Sequence, residues 1–184
     1  MNSIESLKTD HRIIERAINI LETSINRLQH GISVDKIVFT TLIRFFKTFT
    51  DECHHAKEEE VLFPELERSG IQKGGGPIAV MLYEHNMGRV FLNNLNKAVE
   101  KYYSGDVNAI QDIIKKSSDY IDLLRNHILK EENILFHIAL QVLDAKKDAE
   151  LFEEFEKVEN EKIGPGKHEE LERSIEDLEK MITS

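Results

Sequence analysis

Histidine and glutamate recur at one interval in two short passages, HHAKEEEVLF at residues 54–63 and HILKEENILF at residues 127–136. His54, Glu58, Leu62 and Phe63 in the first match His127, Glu131, Leu135 and Phe136 in the second, position by position. Residues four apart on a helix share a face, so each histidine and its glutamate point the same way about one turn apart. Imidazole mixed with carboxylate is the donor set that iron, zinc, manganese and cobalt accept. Two more histidines lie in a second pair of related passages, DHRIIERAINIL (10–21) and EHNMGRVFLNNL (84–95). His11 and His85 are 74 positions apart, and His54 and His127 are 73 apart. Each half of the chain thus carries one histidine followed by a histidine-glutamate pair.

Long helices are needed to bring these side chains together, and the apolar spacing predicts them. Ile4, Leu7, His11, Ile14, Ile18, Leu21, Ile25 and Leu28 advance by threes and fours, the stripe of an amphipathic helix. Ile78, Met81, His85, Gly88, Leu92, Leu95, Val99 and Tyr102 form another. A third runs through Ile110, Ile113, Ser117, Tyr120, Leu124, His127, Glu131, Ile134 and Ile138. Breaks fall at Gly31-Ile32-Ser33, at 69–77 and at Ser104-Gly105-Asp106. Pro77 suits the first turn of the third helix, and Asp106 is the expected cap of the fourth. The fold class this predicts is all-α: an up-down-up-down four-helix bundle over residues 1–144, with additional C-terminal helices as an extension over residues 145–184, packed outside the bundle.

In an antiparallel hairpin, residues equidistant from the turn lie level, because both helices rise about 1.5 Å per residue. The midpoint of His11 and His54 falls between Ile32 and Ser33, and that of His85 and His127 falls on Asp106. The midpoint of His54 and His85 lies at the start of the 69–77 loop. Four histidines from four helices therefore converge on one level, with Glu58 and Glu131 beside them. Two carboxylates there, with no lysine or arginine expected to face inward, are costly unless coordinated. A structural zinc takes four ligands. Six donors in two equivalent halves instead fit two metals, each with two histidines, sharing two glutamates and keeping open positions. The expected metal ligands are His11, His54, Glu58, His85, His127 and Glu131. His55 and Glu59 offer the same spacing in a competing register, but lack counterparts in the second passage and are expected to face outward.

Other residues have weaker claims. Tyr120 could donate a hydrogen bond near the site or act in redox, or serve as a core aromatic. Asp10 and Glu84 are expected to be outward charges, and Glu15 either supports the site or is exposed. Cys53 reads as a small buried residue; as the single cysteine it forms neither an internal disulfide nor a CxxC pair. His30, His137 and His168 are expected in solvent. The Glu-x-x-His spacing of ferritin-like bundles occurs once, at Glu52 and His55. A net charge of -10 argues against nucleic acid as a partner. No signal peptide or run of eighteen apolar residues is evident, which predicts no membrane association and a cytoplasmic location.

Taken together, DHRIIE, HHAKEEEVLFPEL, YEHNMGR and NHILKEENILFHIAL resemble the hemerythrin-like (HHE cation-binding) family, over roughly residues 4–143. The resemblance implies that His11 and His54 bind one iron and His85 and His127 a second. Glu58 and Glu131 would bridge the two iron ions, with an oxo or hydroxo group between them and manganese or zinc as possible substitutes. Oxygen-carrying hemerythrins have a further histidine four residues after the one on the third helix; here that residue is Arg89. The four-histidine, two-glutamate set, with GPIAVMLYEH before it, is closer to di-iron proteins that repair iron-sulfur clusters under oxidative or nitric oxide stress. What this implies is a non-haem di-iron site that binds or reacts with O2, NO or peroxide, or that supplies iron to an apo iron-sulfur protein. The alternative is a non-enzymatic O2/NO-binding or iron-sensing or storage module.

Overall fold

Asn2 accepts the amide of Glu5 and so starts the first helix, α1 (Ser3–Gln29). The computed structural model describes residues 2–183. Asp35 caps α2 (Lys36–Phe45) in the same way, accepting the amide of Ile37. The second rod then continues through π-helical windings at Phe46–His55 and Glu58–Leu62 into α3 (Phe63–Arg68). The third rod is α4 (Pro77–Tyr103), with Pro77 in its first turn as the sequence predicts. The fourth is α5 (Ala109–Lys130), which passes through a π-helical turn at Glu131–Leu135 into α6 (Phe136–Val142). Asp106 does not cap α5. Its side chain accepts the amide of Asn108 and its carbonyl that of Ala109, in a turn that precedes the helix.

Two of the interhelical breaks share one geometry. After α1, the amides of Gly31 and Ile32 return to the carbonyls of Leu28 and Arg27; after α4, those of Gly105 and Asp106 return to Tyr102 and Lys101. Gly31 and Gly105 have φ of 73° and 109°, the left-handed conformation this helix ending requires. The repeat thus extends to the turns.

The expected all-α bundle forms, and its core divides in two. One apolar cluster contains Ile14, Leu21, Phe39, Phe45, Leu95 and Leu124; the other contains Ile4, Leu7, Leu62, Phe63, Phe136 and Ile78. The histidines lie between them: His11 follows Leu7 and precedes Ile14, while His127 follows Leu124 and precedes Leu135. A polar layer is therefore closed above and below by aliphatic and aromatic side chains. The stripe predicted for the fourth rod holds as far as Glu131 and then slips. Ile134 is 51% exposed, and Leu135, Phe136 and Ala139 are buried in its place. The π-helical turn at Glu131–Leu135 accommodates one extra residue and moves the apolar face along by one.

Beyond the four rods, α7 (Ala145–Lys162) and α8 (Lys167–Thr183) dock against the bundle. Leu151 and Phe155 of α7 join the cluster that contains Leu7; Leu171, Ile175 and Leu178 of α8 join the one that contains Leu21. Arg16 of α1 donates two bonds to Glu179, at 2.9 and 2.8 Å. No helix is long and apolar enough to cross a membrane among the described residues.

Candidate metal centre

The four histidines at positions 11, 54, 85 and 127 turn their Nε2 atoms toward one another in two pairs. His11 Nε2 and His54 Nε2 are 3.1 Å apart, and His85 Nε2 and His127 Nε2 are 3.2 Å apart. Two donors at right angles on a metal with bonds of about 2.1 Å lie about 3 Å apart, so each pair has the separation of neighbouring ligands on one ion. Glu131 spans the pairs: its Oε2 is 3.1 Å from His11 Nε2 and its Oε1 is 3.1 Å from His127 Nε2. Glu58 Oε2 lies 3.9 Å from His54 Nε2 and 3.4 Å from His85 Nε2. Both glutamates are wholly buried. Both oxygens of Glu58 and Oε1 of Glu131 lack a hydrogen-bond partner. A buried carboxylate in that state is expensive, and a cation between the histidine pairs would satisfy it. The residues present therefore fit a metal.

Each histidine is held from behind by a carboxylate. His11 Nδ1 donates to Glu132 at 2.9 Å and His85 Nδ1 to Glu59 at 2.7 Å. His54 Nδ1 donates to Asp10 at 3.3 Å and His127 Nδ1 to Glu84 at 3.1 Å. Ionised carboxylates only accept, so the Nδ1 atoms carry the protons and the Nε2 atoms face inward. This is the usual support of a metal-binding imidazole. It follows the repeat, since Asp10 corresponds to Glu84 and Glu59 to Glu132. Lys57 on Asp10 (3.1 Å) and Lys130 on Glu84 complete the correspondence. Phe136 stacks on His11 with centroids 5.5 Å apart, and Phe63 on His85 at 5.9 Å. The phenylalanine repeated in both passages thus covers the opposite hairpin's histidine.

Burial opposes charge on His11, but hydrogen bonds to Glu131 and Glu132 outweigh it and push its pKa up to about 10. The same opposition raises His85 and His127, while those histidines and His11 hold Glu131 well below the usual carboxylate range against its burial. Without metal, protons on imidazoles supply the positive charge the carboxylates need; a cation would displace them. Burial alone would raise Asp10, yet bonds from His168 and His54 and the charge of Lys57 bring it well below its ordinary value. Burial pushes the Cys53 thiol up to about 12.

All six expected ligands meet in this layer. Several neighbours depart from expectation. Asp10 is buried and Glu84 faces its histidine, where outward charges were predicted, because each lies one residue off the stripe within reach of the adjacent rod. Lys57 is an inward lysine, contrary to the expectation of none; it is 3% exposed and also meets Glu159 Oε2 at 2.7 Å. His55 and Glu59 face inward rather than outward. The π-helical winding ending at His55 carries that ring onto His85, and Glu59 accepts from His85. His168 is not solvated: it sits at the start of α8 and bonds Asp10 at 3.0 Å. Tyr120 packs edge-on against Phe46, a core aromatic. Cys53 is buried and its sulfur donates to Glu159, while Glu15, His30 and His137 are exposed. The sequence signal for the missed carboxylates is the repeat itself, which pairs acid with acid at Asp10 and Glu84 and at Glu59 and Glu132.

A family model described as the hemerythrin HHE cation-binding domain matches residues 2–139. An uncharacterised protein of Mycobacterium tuberculosis and one of Mycobacterium bovis are each 24% identical to this chain over 178 residues, covering 97% of it and 69% of their own length. No solved structure matches at a significant level. With three quarters of its length inside the family's domain and a layer of histidine and glutamate able to hold metal at its centre, the chain belongs to the hemerythrin HHE cation-binding family.

Proposed function

We propose that His11, His54, Glu58, His85, His127 and Glu131 hold two iron ions, and that this centre binds or reduces O2, nitric oxide or peroxide. One observation carries the reading. His11, His54, Glu58 and Glu131 form one compact donor set, Glu58, His85, His127 and Glu131 form another, and the two sets share both carboxylates. Single-ion sites have no use for that duplication. Imidazole and carboxylate suit iron in both oxidation states, and the one cysteine turns its sulfur to Glu159 instead. Bound iron supplies ferrous-ferric electron transfer. The chain's residues do the rest: Asp10, Glu59, Glu84 and Glu132 fix the imidazole rings, Phe63 and Phe136 cover two of them, and the apolar clusters on either side exclude bulk water.

The test loads the full chain with ferrous iron and follows its visible spectrum as O2, nitric oxide and peroxide are added separately. A spectrum that responds to at least one of them supports the proposal, and turnover distinguishes an enzyme from a binder. Loss of iron to an apo iron-sulfur acceptor with no response to the three small molecules would move the reading to iron supply.

A further inference from the structure

The two halves of the repeat are covered unequally. In the first half, α7 and α8 lie across the outer face of α1 and the second rod. There Glu159 meets Lys57 and His168 meets Asp10, which seals the acid-lysine pair behind His54. Ile13 and Ala17 of α1 stand off its core stripe and are nonetheless buried, as are Cys53, Ala56 and Lys57 of the second rod.

The equivalent surface of the second half is open. By the offsets of the repeat, Ile13 and Ala17 correspond to Met87 and Phe91, and Ala56, Lys57 and Val61 to Leu129, Lys130 and Ile134. Met87 and Phe91 are half-buried, Leu129 is 58% exposed and Ile134 51%. Glu84 and Lys130, the counterparts of Asp10 and Lys57, bond each other and line a groove of about 650 Å³ beside Phe91, Leu129 and Ile134. Only residues of α4, α5 and the π-helical turn after α5 line this groove among the described residues. Apolar side chains gathered at such a surface mark an interaction site.

The charges around the two surfaces differ, and the difference identifies what fits. Arg16 of α1 receives the acidic edge of α8 through Glu172 and Glu179, and its counterpart in α4 is Val90. The rim of the open groove instead carries Asp119 and Asp122, and its lysine, Lys130, is matched by Glu84. An acidic helix such as α8 would find no cation there, whereas a basic one would find carboxylates. A net charge of -10 likewise sets a second copy of the chain against this rim. We propose that the α4–α5 groove docks an amphipathic helix of a partner protein. Its apolar face meets Phe91, Leu129 and Ile134, and lysine or arginine along one edge meets Asp119 and Asp122. The docked helix lies outside Glu84 as α7 and α8 lie outside Asp10.

A fluorescein-labelled peptide of leucine and lysine, about 18 residues or five helical turns long with a helical apolar stripe, probes the full chain by anisotropy. One saturable site is expected, at least about tenfold tighter than for a peptide of the same composition in scrambled order. Leu129→Ser with Ile134→Ser is expected to weaken binding at least about tenfold, and so, separately, is Asp119→Lys with Asp122→Lys. Glu153→Lys with Glu154→Lys makes the same change of charge at exposed residues of α7 and is expected to leave binding unchanged. No binding, equal affinity for the scrambled peptide, or an equal loss in the α7 variant overturns the proposal. Self-association in sedimentation velocity that Leu129→Ser with Ile134→Ser abolishes gives the groove to a second copy and overturns it as well.

Discussion

Glu58 buries two carboxylate oxygens in a layer where neither finds a hydrogen bond. Its position is costly for folding and useful for a cation, so the two roles separate by substitution. Glu58→Gln is expected to leave the metal-free protein within about 1 kcal/mol of the wild type in denaturant unfolding, because the imidazole proton that balances its charge is released along with that charge. The same variant is expected to lose at least one metal per chain. Asp10 behaves differently. It holds His54, Lys57 and His168 together. Asp10→Ala is expected to weaken metal binding about 10–100-fold and to cost about 3 kcal/mol of stability, since it strips a partner from the buried Lys57. The six residues that meet in this layer were legible in the sequence because the duplication sets histidine against histidine and glutamate against glutamate. Asp10 and Glu84 were not, because a charge one step off an apolar stripe looks like surface until the neighbouring rod is in place.

At the scale of the elements, the apolar stripes of α1 and α4 correspond closely to what is buried, and the second and fourth rods do not follow a single α-helical period. No spacing rule read from 3.6-residue turns anticipates the π-helical segments at Phe46–His55, Glu58–Leu62 and Glu131–Leu135, so an α-helical period puts Ile134 inside and His55 outside, the reverse of the structure. All three segments contain or adjoin donors of the centre, so the winding and the site occupy the same stretch of chain. Pairing between rods also adds to stability. Arg125 of α5 donates two bonds of 2.8 Å to Glu22 of α1, and these, more than its slight burial, hold Glu22 below its ordinary pKa. A depressed carboxylate stabilises the fold above its unfolded pKa, near 4.3, and loses that contribution as pH falls through the folded one. Glu22→Gln is therefore expected to cost about 0.5 kcal/mol at pH 7, a figure already reduced for solvent screening, and nothing below about pH 3. Unfolding curves at the two pH values measure the difference.

Over the whole molecule, the histidine-glutamate layer divides the core, and the C-terminal helices reach that layer from outside. Leu151 and Phe155 of α7 belong to one apolar cluster and Ile175 of α8 to the other; between them Glu159 meets Lys57 and His168 meets Asp10. The sequence revealed an acidic helical extension but not its attachment, because the attaching residues are scattered single positions. Ile175→Ala, at a wholly buried site, is expected to cost about 2–4 kcal/mol, which a surface helix would not. The proposed function depends on two cations held by shared carboxylates. Native mass spectrometry of the iron-reconstituted full chain, beside its Glu131→Gln variant, measures this directly. Two irons per wild-type chain and fewer in the variant is the predicted result. One iron or none in the wild type, or an unchanged pair in the variant, contradicts it.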